Sequence, residues 1–423
     1  MATAGDIIKV SRNTKNAPTS SASTQTVAFS HYNNISAQLP VDPRTGEIVD
    51  GGIDEQTRRC CLNIRAIVES INHVMDDVLK VTIFLRDIAD IEAVDAVYGS
   101  FFGRYLPSRT TVAVAALPLS GALVQIEAVV SNGEGTTPQD PCDLVKVAVN
   151  TVNAPTSPVA TQAVAFSHYN NISAQLPVDP ATGLVVAGGI EAQAQQCLKN
   201  LRAVLDSLGV PLDDVVKTNL FLTDLSDSDV VDGVYSQFFP HSAIARAAGY
   251  VPARTVVNAS ALPLGALIQV DAVVSHGDGT QPQLVEDRHG IVIRASNTES
   301  SPKNQRSTQT VAFSHYNHIS GQLPVDASTG EVVAGGVVEQ VTQCLHNIRE
   351  IVESVDHGMD DIVKLSIQLR DVADAAAVDN ACTAFFKGEL PAKTTVGVSA
   401  IPLDGLVQVD AVVSNCEGTA PQE

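Results

Sequence analysis

Hydrophobic and polar positions follow the same order three times along the chain. The segment VAFSHYNNISAQLPVD occurs, with few changes, at residues 27–42, 164–179 and 311–326. The matching histidines, at positions 31, 168 and 315, are 168 − 31 = 137 and 315 − 168 = 147 residues apart. Steps of this length are typical of a small domain. The pattern therefore predicts three similar domains in one chain.

A helical pattern follows this segment in each copy. From residue 55 to residue 71, apolar side chains recur at Cys60, Ile64, Ile67 and Ile71, a spacing that places them on one face of a helix. The same offsets recur in the other copies, at Cys197, Leu201, Val204 and Leu208 and at Cys344, Ile348, Ile351 and Val355. We therefore predict the same amphipathic helix three times.

Strand patterns surround this helix. Short β-rich runs open the copies at residues 7–11, 144–148 and 291–294. In the first copy we predict a hairpin over residues 26–39, strands over 79–85, 110–116 and 122–130, and a second helix over 92–102. The second copy has an insertion, residues 241–248, before its last two strands.

The final strands of each copy are apolar or small on both faces, although only two helices are available to cover a sheet. Two helices can cover one face of such a sheet. The other face must be buried elsewhere, and the sister copies are the nearest candidates. We expect three sheets to close around a pseudo-threefold axis, with the helices outside.

Segments rich in Gly, Thr, Pro and Gln separate the copies, at residues 133–139 and 277–283, and are typical of short linkers. We place the domains at residues 1–138, 142–282 and 286–423. Such linkers favour closure of the three copies within one chain, and hence a monomer in solution.

Composition bears on the partners and the cellular setting to be expected. The 423 residues carry a formal charge of −21, which disfavours nucleic acid as a partner. No apolar run approaches the roughly 18 residues of a membrane span, and the seven cysteines, an odd number, indicate a reducing, cytoplasmic setting. Cys60, Cys197 and Cys344 could form a three-thiol metal site, but their place on the helix stripe favours buried core residues.

Two polar side chains share one face of the last strand in each copy: Gln125 with Glu127, Gln269 with Asp271, and Gln408 with Asp410. A carboxylate in an apolar strand needs a partner or a catalytic task. A basic residue precedes the neighbouring strand in each copy, namely Arg109, Arg254 and Lys393. Two interpretations stay open: a structural ion pair between Arg109 and Glu127, or a site in which the arginine grips a ligand carboxylate.

Each whole copy resembles the Rid family, also called the YjgF family, of reactive imine deaminases. The resemblance rests on Ser-Gly-Gln-Leu-Pro-Val-Asp at residues 320–326, with alanine for glycine in the other copies, and on Val-Tyr-x-x-Phe-Phe at residues 97–102. It also rests on Pro-Ala-Arg-Thr at residues 252–255 and on a Leu-Pro pair followed by a strand with an acidic residue.

The resemblance implies a chorismate-mutase-like/YjgF-like α+β fold: a six-stranded mixed sheet with two helices on one face, three of which close into a pseudo-trimeric barrel with ligand clefts between them. It implies hydrolysis of 2-imino acids, such as 2-iminobutanoate or 2-iminopropanoate, to 2-keto acids and ammonia. The expected partner is thus a small 2-imino or 2-keto acid, and we expect no cofactor and no metal.

The resemblance also implies roles for single residues. The carboxylate-binding position falls on Arg109, Arg254 and Lys393, and the catalytic, water-orienting position falls on Glu127, Asp271 and Asp410. Further substrate-binding positions fall on Ser36, Ala37, Ser173, Ala174, Ser320, Gly321, Asp95, Asp232 and Asp379. Only the first copy has both arginine and glutamate, so we expect the pocket that uses Glu127 to carry most of the activity.

The chain departs from the family pattern at several pocket positions. The usual aromatic residue of the first strand is replaced by Ser23, Ala160 and Ser307, the usual asparagine of the second helix by Asp95, Asp232 and Asp379, and a frequent cysteine by Thr111, Val256 and Thr395. These changes favour an alternative, a non-catalytic carboxylate-binding or stress-related interaction protein. A ribonuclease is a third hypothesis, against which the charge argues. The three repeated histidines are interpreted as turn residues rather than metal ligands.

Overall fold

The computed structural model describes residues 9–103, 105–132, 146–275 and 293–415. Within these ranges the chain forms three α+β units, one for each sequence copy. The domain boundaries expected at residues 138–142 and 282–286 lie outside the described residues, as do most of the opening runs expected at 7–11, 144–148 and 291–294. The first described strand of each unit begins about three residues later than those runs.

The elements of the three units correspond one to one, apart from additions in the second. The first unit contains β1 (Val10–Arg12), β2 (Thr26–Phe29), β3 (Tyr32–Gln38), α1 (Ile53–Ser70), β4 (Val78–Leu85), α2 (Ile91–Gly99), β5 (Ser108–Ala113) and β6 (Val124–Ser131). The second contains β7 (Val147–Val149), β8 (Ala163–Phe166), β9 (Tyr169–Gln175), β10 (Val178–Asp179), β11 (Leu184–Val185), α3 (Gly189–Leu208), β12 (Val215–Leu222), α4 (Ser228–Phe238), α5 (Ala243–Ala248), β13 (Ala253–Asn258) and β14 (Ile268–Ser275). The third contains β15 (Arg294–Ser296), β16 (Thr310–Phe313), β17 (Tyr316–Ile319), α6 (Val337–Glu353), β18 (Ile362–Leu369), α7 (Ala375–Thr383), β19 (Ala392–Gly397) and β20 (Val407–Ser414).

Each unit has a six-stranded mixed sheet, as predicted. The order in the first unit is β1-β2-β3-β6-β4-β5, and the other two units repeat it. The neighbours β4 and β5 are parallel, with Val81 opposite Arg109 and Thr82 opposite Thr110. A parallel pair of strands needs a crossover connection. Here α2 is part of the connection between β4 and β5.

The long helix of each unit covers one face of its sheet. In α1 the side chains of Cys60, Ile64 and Ile67 are almost fully buried, and Glu55 accepts a hydrogen bond from the N–H of Gly52 at the helix start. Cys60, Cys197 and Cys344 each belong to the core of a different unit, and burial raises the pKa of each thiol. The prediction that they are core residues is confirmed. No helix among the described residues is long and apolar enough to cross a membrane.

The opposite faces of the three sheets meet one another. Two apolar clusters draw residues from every unit, one around Phe29, Phe166 and Phe313 and one around Phe84, Phe221 and Val396. The expected barrel is not present as a closed sheet among the described strands, because each sheet is open and ends in its own two edge strands. The units meet through side chains and a few isolated bridges, such as Ala113 with Ala261.

Three tyrosines lie together where the units converge. The ring centroids of Tyr32, Tyr169 and Tyr316 are 5.9, 5.7 and 6.2 Å apart, in edge-to-face contacts. Each hydroxyl donates to a backbone carbonyl of another unit: Tyr32 to Phe166, Tyr169 to Phe313 and Tyr316 to Phe29. The contacts thus run from the first unit to the second, the second to the third, and the third back to the first.

The insertion predicted in the second unit forms the short helix α5. Ser242 caps it by accepting a hydrogen bond from the N–H of Ala245 at 3.0 Å. The chain then returns through Tyr250, which is buried and donates to the carbonyl of Val215. This segment adds packing that the first and third units do not have.

Candidate functional site

A cleft lies at the junction of the first and second units, and the three junctions share one arrangement of contacts. Ser173 of the second unit accepts a hydrogen bond from the backbone N–H of Arg109 at 2.8 Å and donates to the carbonyl of Thr161. The same arrangement joins Ser320 to Arg254 at 2.9 Å and Ser36 to Lys393 at 2.8 Å. Each predicted cation is thus brought to a predicted serine of the next unit. The serine hydroxyls hold the units together, because both of their hydrogen-bonding roles are used.

The side chain of Arg109 is held firmly in the first cleft. Its Nη2 lies 2.5 Å from Asp95, its Nε donates to the hydroxyl of Thr111 at 2.8 Å, and its guanidinium lies over the ring of Tyr98, 4.9 Å from the centroid. The Nη1 group is buried without a hydrogen-bond partner among the described residues. A buried donor without a partner costs free energy, and a ligand acceptor could supply the missing bond.

The other two cations repeat this pairing with differences. Arg254 donates to Asp232 at 2.6 Å and lies over Tyr235, 5.1 Å from the centroid. Lys393 donates to Asp379, but the position of the tyrosine is occupied by Cys382, and burial raises the pKa of that thiol to about 12. The predicted Asp95, Asp232 and Asp379 are therefore beside the cations, where each compensates a positive charge before any ligand arrives.

The cleft between the first and second units encloses about 160 Å³. Ala160 and Ala174 line it together with Arg109, and the small side chain at 160 leaves room where an aromatic ring would project. Gln269 closes the inner wall, and its Nε2 donates to the carbonyl of Thr111 at 2.9 Å. In the junction of the second and third units, Gly321 lies so close to Gln408 that a Cβ would be 2.8 Å from its Nε2.

The predicted carboxylates do not lie in these clefts. Asp271 accepts hydrogen bonds from Thr110 at 2.6 Å and from Asn219 at 2.8 Å, and lies 3.3 Å from Lys80. Because Thr110 directly follows Arg109 in β5, the two side chains point to opposite faces of the sheet. The strand therefore separates Asp271 from the cleft that contains Arg109.

The structural ion pair expected between Arg109 and Glu127 is wrong, whereas the alternative, in which Arg109 binds a ligand carboxylate, stays a prediction. Glu127 accepts from Thr394 of the third unit and pairs with Lys364 at 2.8 Å, whereas Arg109 pairs with Asp95. Asp410 is likewise bound by Thr255, at 2.8 Å. The first unit thus contributes its cation and its acid to different junctions and to different faces of the sheet, so no single cleft uses both.

Glu127, Asp271 and Asp410 instead line a central cavity with Lys80, Lys217 and Lys364, which sequence reasoning missed. Burial raises the pKa of the Glu127 carboxyl, but the Lys364 ammonium and the hydroxyls of Thr394 and Thr82 outweigh it and hold the pKa below its usual value. Burial lowers the pKa of Lys217, with Asp410 and Asp271 opposing. A lysine inside an apolar strand of every copy was the available signal.

The repeated histidines occupy tight turns, as predicted. Ser30, Ser167 and Ser314, which precede them, have φ near +50°. His31 is buried, and burial together with the nearby His315 lowers its pKa to about 4. In the part of the chain that the structure describes, no group of three or more His, Cys, Asp or Glu side chains is arranged to hold a metal ion.

The fold and the clefts together define three tandem domains of the YjgF/L-PSP type. The family model described as Endoribonuclease L-PSP matches residues 14–132, 152–276 and 298–415, and the chain belongs to this family.

Among its relatives, human 2-iminobutanoate/2-iminopropanoate deaminase is 33% identical over 142 residues, which are 33% of this chain and 98% of that protein. A RutC family protein of Pyrococcus horikoshii is 41% identical over 105 residues, 25% of this chain and 82% of that protein. The crystal structure of YyfA, a Rid family protein of Yersinia pestis, is similar at 36% identity and a TM-score of 0.29, covering 31% of this chain and 99% of that one.

Proposed function

We propose that the chain hydrolyses reactive 2-imino acids to 2-keto acids and ammonia in the clefts between its units. The observation that carries the proposal is the buried guanidinium of Arg109, which lines the cleft and has an Nη1 donor without a partner among the described residues. The similarity to proteins named 2-iminobutanoate/2-iminopropanoate deaminase supports the same activity.

Arg109 supplies the binding step. A substrate carboxylate bound through two oxygens would take the free Nη1 donor and share Nη2 with Asp95. The stacking on Tyr98 and the bond to Thr111 keep the guanidinium plane fixed, so little side-chain entropy is lost on binding. The imine carbon, adjacent to the carboxylate, would then lie in the cleft beside Gln269.

The hydrolytic step requires a water and a proton acceptor. The oxygen of the water forms a bond to the imine carbon, and the C–N bond breaks after a proton reaches the nitrogen, releasing ammonia. The amide of Gln269 donates to Thr111 through its nitrogen, which leaves its oxygen to orient the water. In the proposal Gln269 thus takes the water-orienting role expected of Glu127, Asp271 and Asp410. Asp95 is the carboxylate that lines this cleft, and it accepts the proton.

A second candidate is a carboxylate-binding protein without turnover. One observation favours it: the three carboxylates of the last strands are bound by threonines and lysines on the other side of β5, β13 and β19. Such a protein would bind a 2-keto acid in the same clefts and leave an imino acid unchanged.

The experiment generates 2-iminobutanoate in situ with an amino acid oxidase or a dehydratase and lets semicarbazide compete for it. The deaminase proposal expects the full chain to lower semicarbazone formation and to release 2-oxobutanoate. Arg109→Met should weaken this effect strongly. Arg12→Met, which removes the same charge from an exposed strand end, should leave it unchanged.

Binding distinguishes the two candidates. If the parent protein leaves trapping unchanged but binds 2-oxobutanoate in a titration, the deaminase proposal fails and the binding function stands. If neither trapping nor titration responds, both proposals fail.

A further inference from the structure

The central cavity is separate from the clefts and encloses about 160 Å³. It lies between the two apolar clusters shared by all units, with the three tyrosines among its lining residues on one side and Phe84 and Phe221 on the other. Its volume is many times what a single water needs. Polar side chains line the part of the cavity between the two apolar clusters.

The acceptors of the cavity are already engaged. Each lysine pairs with an acid of another unit: Lys80 with Asp271 at 3.3 Å, Lys217 with Asp410 at 3.8 Å and Lys364 with Glu127 at 2.8 Å. Each acid also accepts a threonine hydroxyl from the adjoining unit. Three positive and three negative charges balance, and the carboxylates are held against the cavity wall.

The groups without partners are nitrogen atoms. The Nδ2 of Asn34, the Nδ2 of Asn171 and the Nε2 of His318 have no hydrogen-bond partner among the described residues, although the exposed fractions of these residues are only 5%, 5% and 8%. They occupy the same position in the three copies, and all three line the cavity. Leaving several buried nitrogens unsatisfied is costly, so their convergence indicates a ligand with acceptor atoms.

We propose that the central cavity is a second ligand site, which binds one small oxyanion through Asn34, Asn171 and His318. An oxyanion presents acceptor oxygens in several directions, which suits donors that come from three sides. An ammonium group has three N–H donors, so Lys80 and Lys364 can keep their carboxylates and also donate to the ligand. The shared chemistry covers inorganic phosphate and a small tricarboxylate, which differ in size.

The surroundings of His318 also determine its protonation state. Burial, together with the ammonium groups of Lys217 and Lys80, lowers the pKa of His318 to about 3. The ring is therefore neutral near pH 7, and in the tautomer with the proton on Nε2 it donates one N–H, whereas the amides of Asn34 and Asn171 have two each. Each of the three units then offers at least one N–H donor to the ligand.

Calorimetric titration of the full chain with inorganic phosphate and, separately, with citrate tests the proposal. We expect one bound anion per chain, and the preferred anion identifies the size class. The double variant Asn34→Leu with Asn171→Leu removes two donors at similar volume and should weaken binding about tenfold or more. Arg109→Met changes only the cleft on the other side of β5 and should leave this binding unchanged.

A matched pair at one position guards against misfolding of the double variant. His318→Asn introduces the residue that the other two copies carry and should retain binding, whereas His318→Leu should weaken it. The proposal is overturned if neither anion binds at millimolar concentration, if His318→Leu binds as tightly as His318→Asn, or if Arg109→Met abolishes binding, which would assign the anion to the clefts.

Discussion

The Nη2 of Arg109 lies 2.5 Å from a carboxylate oxygen of Asp95, within one unit, while the backbone N–H of the same arginine bonds Ser173 of the next. Arg109 thus makes a contact between units through its backbone and a charge pair inside the cleft through its side chain. The arginine side chain is 5% exposed and that of the aspartate 31%, so the carboxylate is the accessible partner. A ligand carboxylate must compete with Asp95 for the guanidinium.

Removing the charge of Asp95 should strengthen ligand binding and lower turnover. Asp95→Asn leaves a side chain of the same size but removes the charge that compensates Arg109, so 2-oxobutanoate should bind more tightly, by about tenfold for roughly 1.4 kcal/mol. If Asp95 accepts the proton, the same variant should lower kcat for imine hydrolysis. Titration and the trapping assay measure the two effects, with Asp54→Asn on the exposed helix start as the charge-matched control. Equal affinities of variant and parent would contradict the competition.

The cleft of Lys393 should be the weakest for carboxylates. Its ammonium is a point charge on a flexible stem, donates to Asp379 and has Cys382 where the other units have a tyrosine. We expect a titration with 2-oxobutanoate to show fewer than three equivalent sites per chain. Lys393→Arg should raise the affinity of the weak site. Three identical affinities in the parent chain would be inconsistent with this prediction.

Breaking one lysine–acid pair of the central cavity should strongly destabilise the folded chain. Lys364→Met leaves the mostly buried Glu127 side chain, 14% exposed, without its cation and should lower the free energy of unfolding by about 3–5 kcal/mol. The double variant Lys364→Met with Glu127→Leu removes both charges and should recover most of the loss. Chemical denaturation monitored by circular dichroism measures both. A double variant no more stable than the single one would show that the pair itself is not the cause.

Stability should fall with acid because two histidines are buried in the neutral form. In the folded chain, burial and nearby positive or imidazole groups lower the pKa of His31 to about 4 and that of His318 to about 3, from the ordinary histidine value of 6.5. The unfolded chain therefore binds more protons as the pH falls below about 6.5, and unfolding becomes easier down to about pH 4. His318→Asn should reduce this slope, as denaturation midpoints between pH 7 and pH 4 would measure. An unchanged slope would exclude His318 as a contributor.

The chain should be a monomer in solution. Tyrosine contacts and the bond from Lys393 to Ser36 connect the last unit back to the first, so each junction has its partner within the same chain. The effective concentration of linked units exceeds that of separate chains. Light scattering should give a mass near 44.4 kDa. A stable assembly of three chains would contradict intramolecular pairing.

Much of the fold followed from periodicity. The stripe of Cys60, Ile64 and Ile67 predicted α1 because a helix must bury one face, and the structure begins that helix at Ile53 and ends it at Ser70, close to the predicted 55–71. The mixed sheet followed from the family resemblance and is confirmed. The opening runs overlap the first described strand of each unit, and most of their earlier residues lie outside the described residues.

The site was predicted less well, since alternation assigns a residue to a face but not to a neighbour. Gln125 and Glu127 share a face of β6, yet Glu127 faces Lys364 of another unit, and no pattern within one copy specifies that contact. Arg109 and Ser173 were predicted as site residues separately, but their meeting depends on which units adjoin. Residues within one strand could be inferred, whereas partners across a junction required the assembled chain.

Joining the three units covalently changes what a single mutation can do at their centre. In a trimer of identical chains, every substitution at an inward-facing position appears three times, so an added steric or electrostatic burden is tripled. Here His318 faces Asn34 and Asn171, and the histidine occurs once. Three copies in one chain therefore allow each innermost position to carry its own residue, and a nearly symmetric scaffold can have an asymmetric interior.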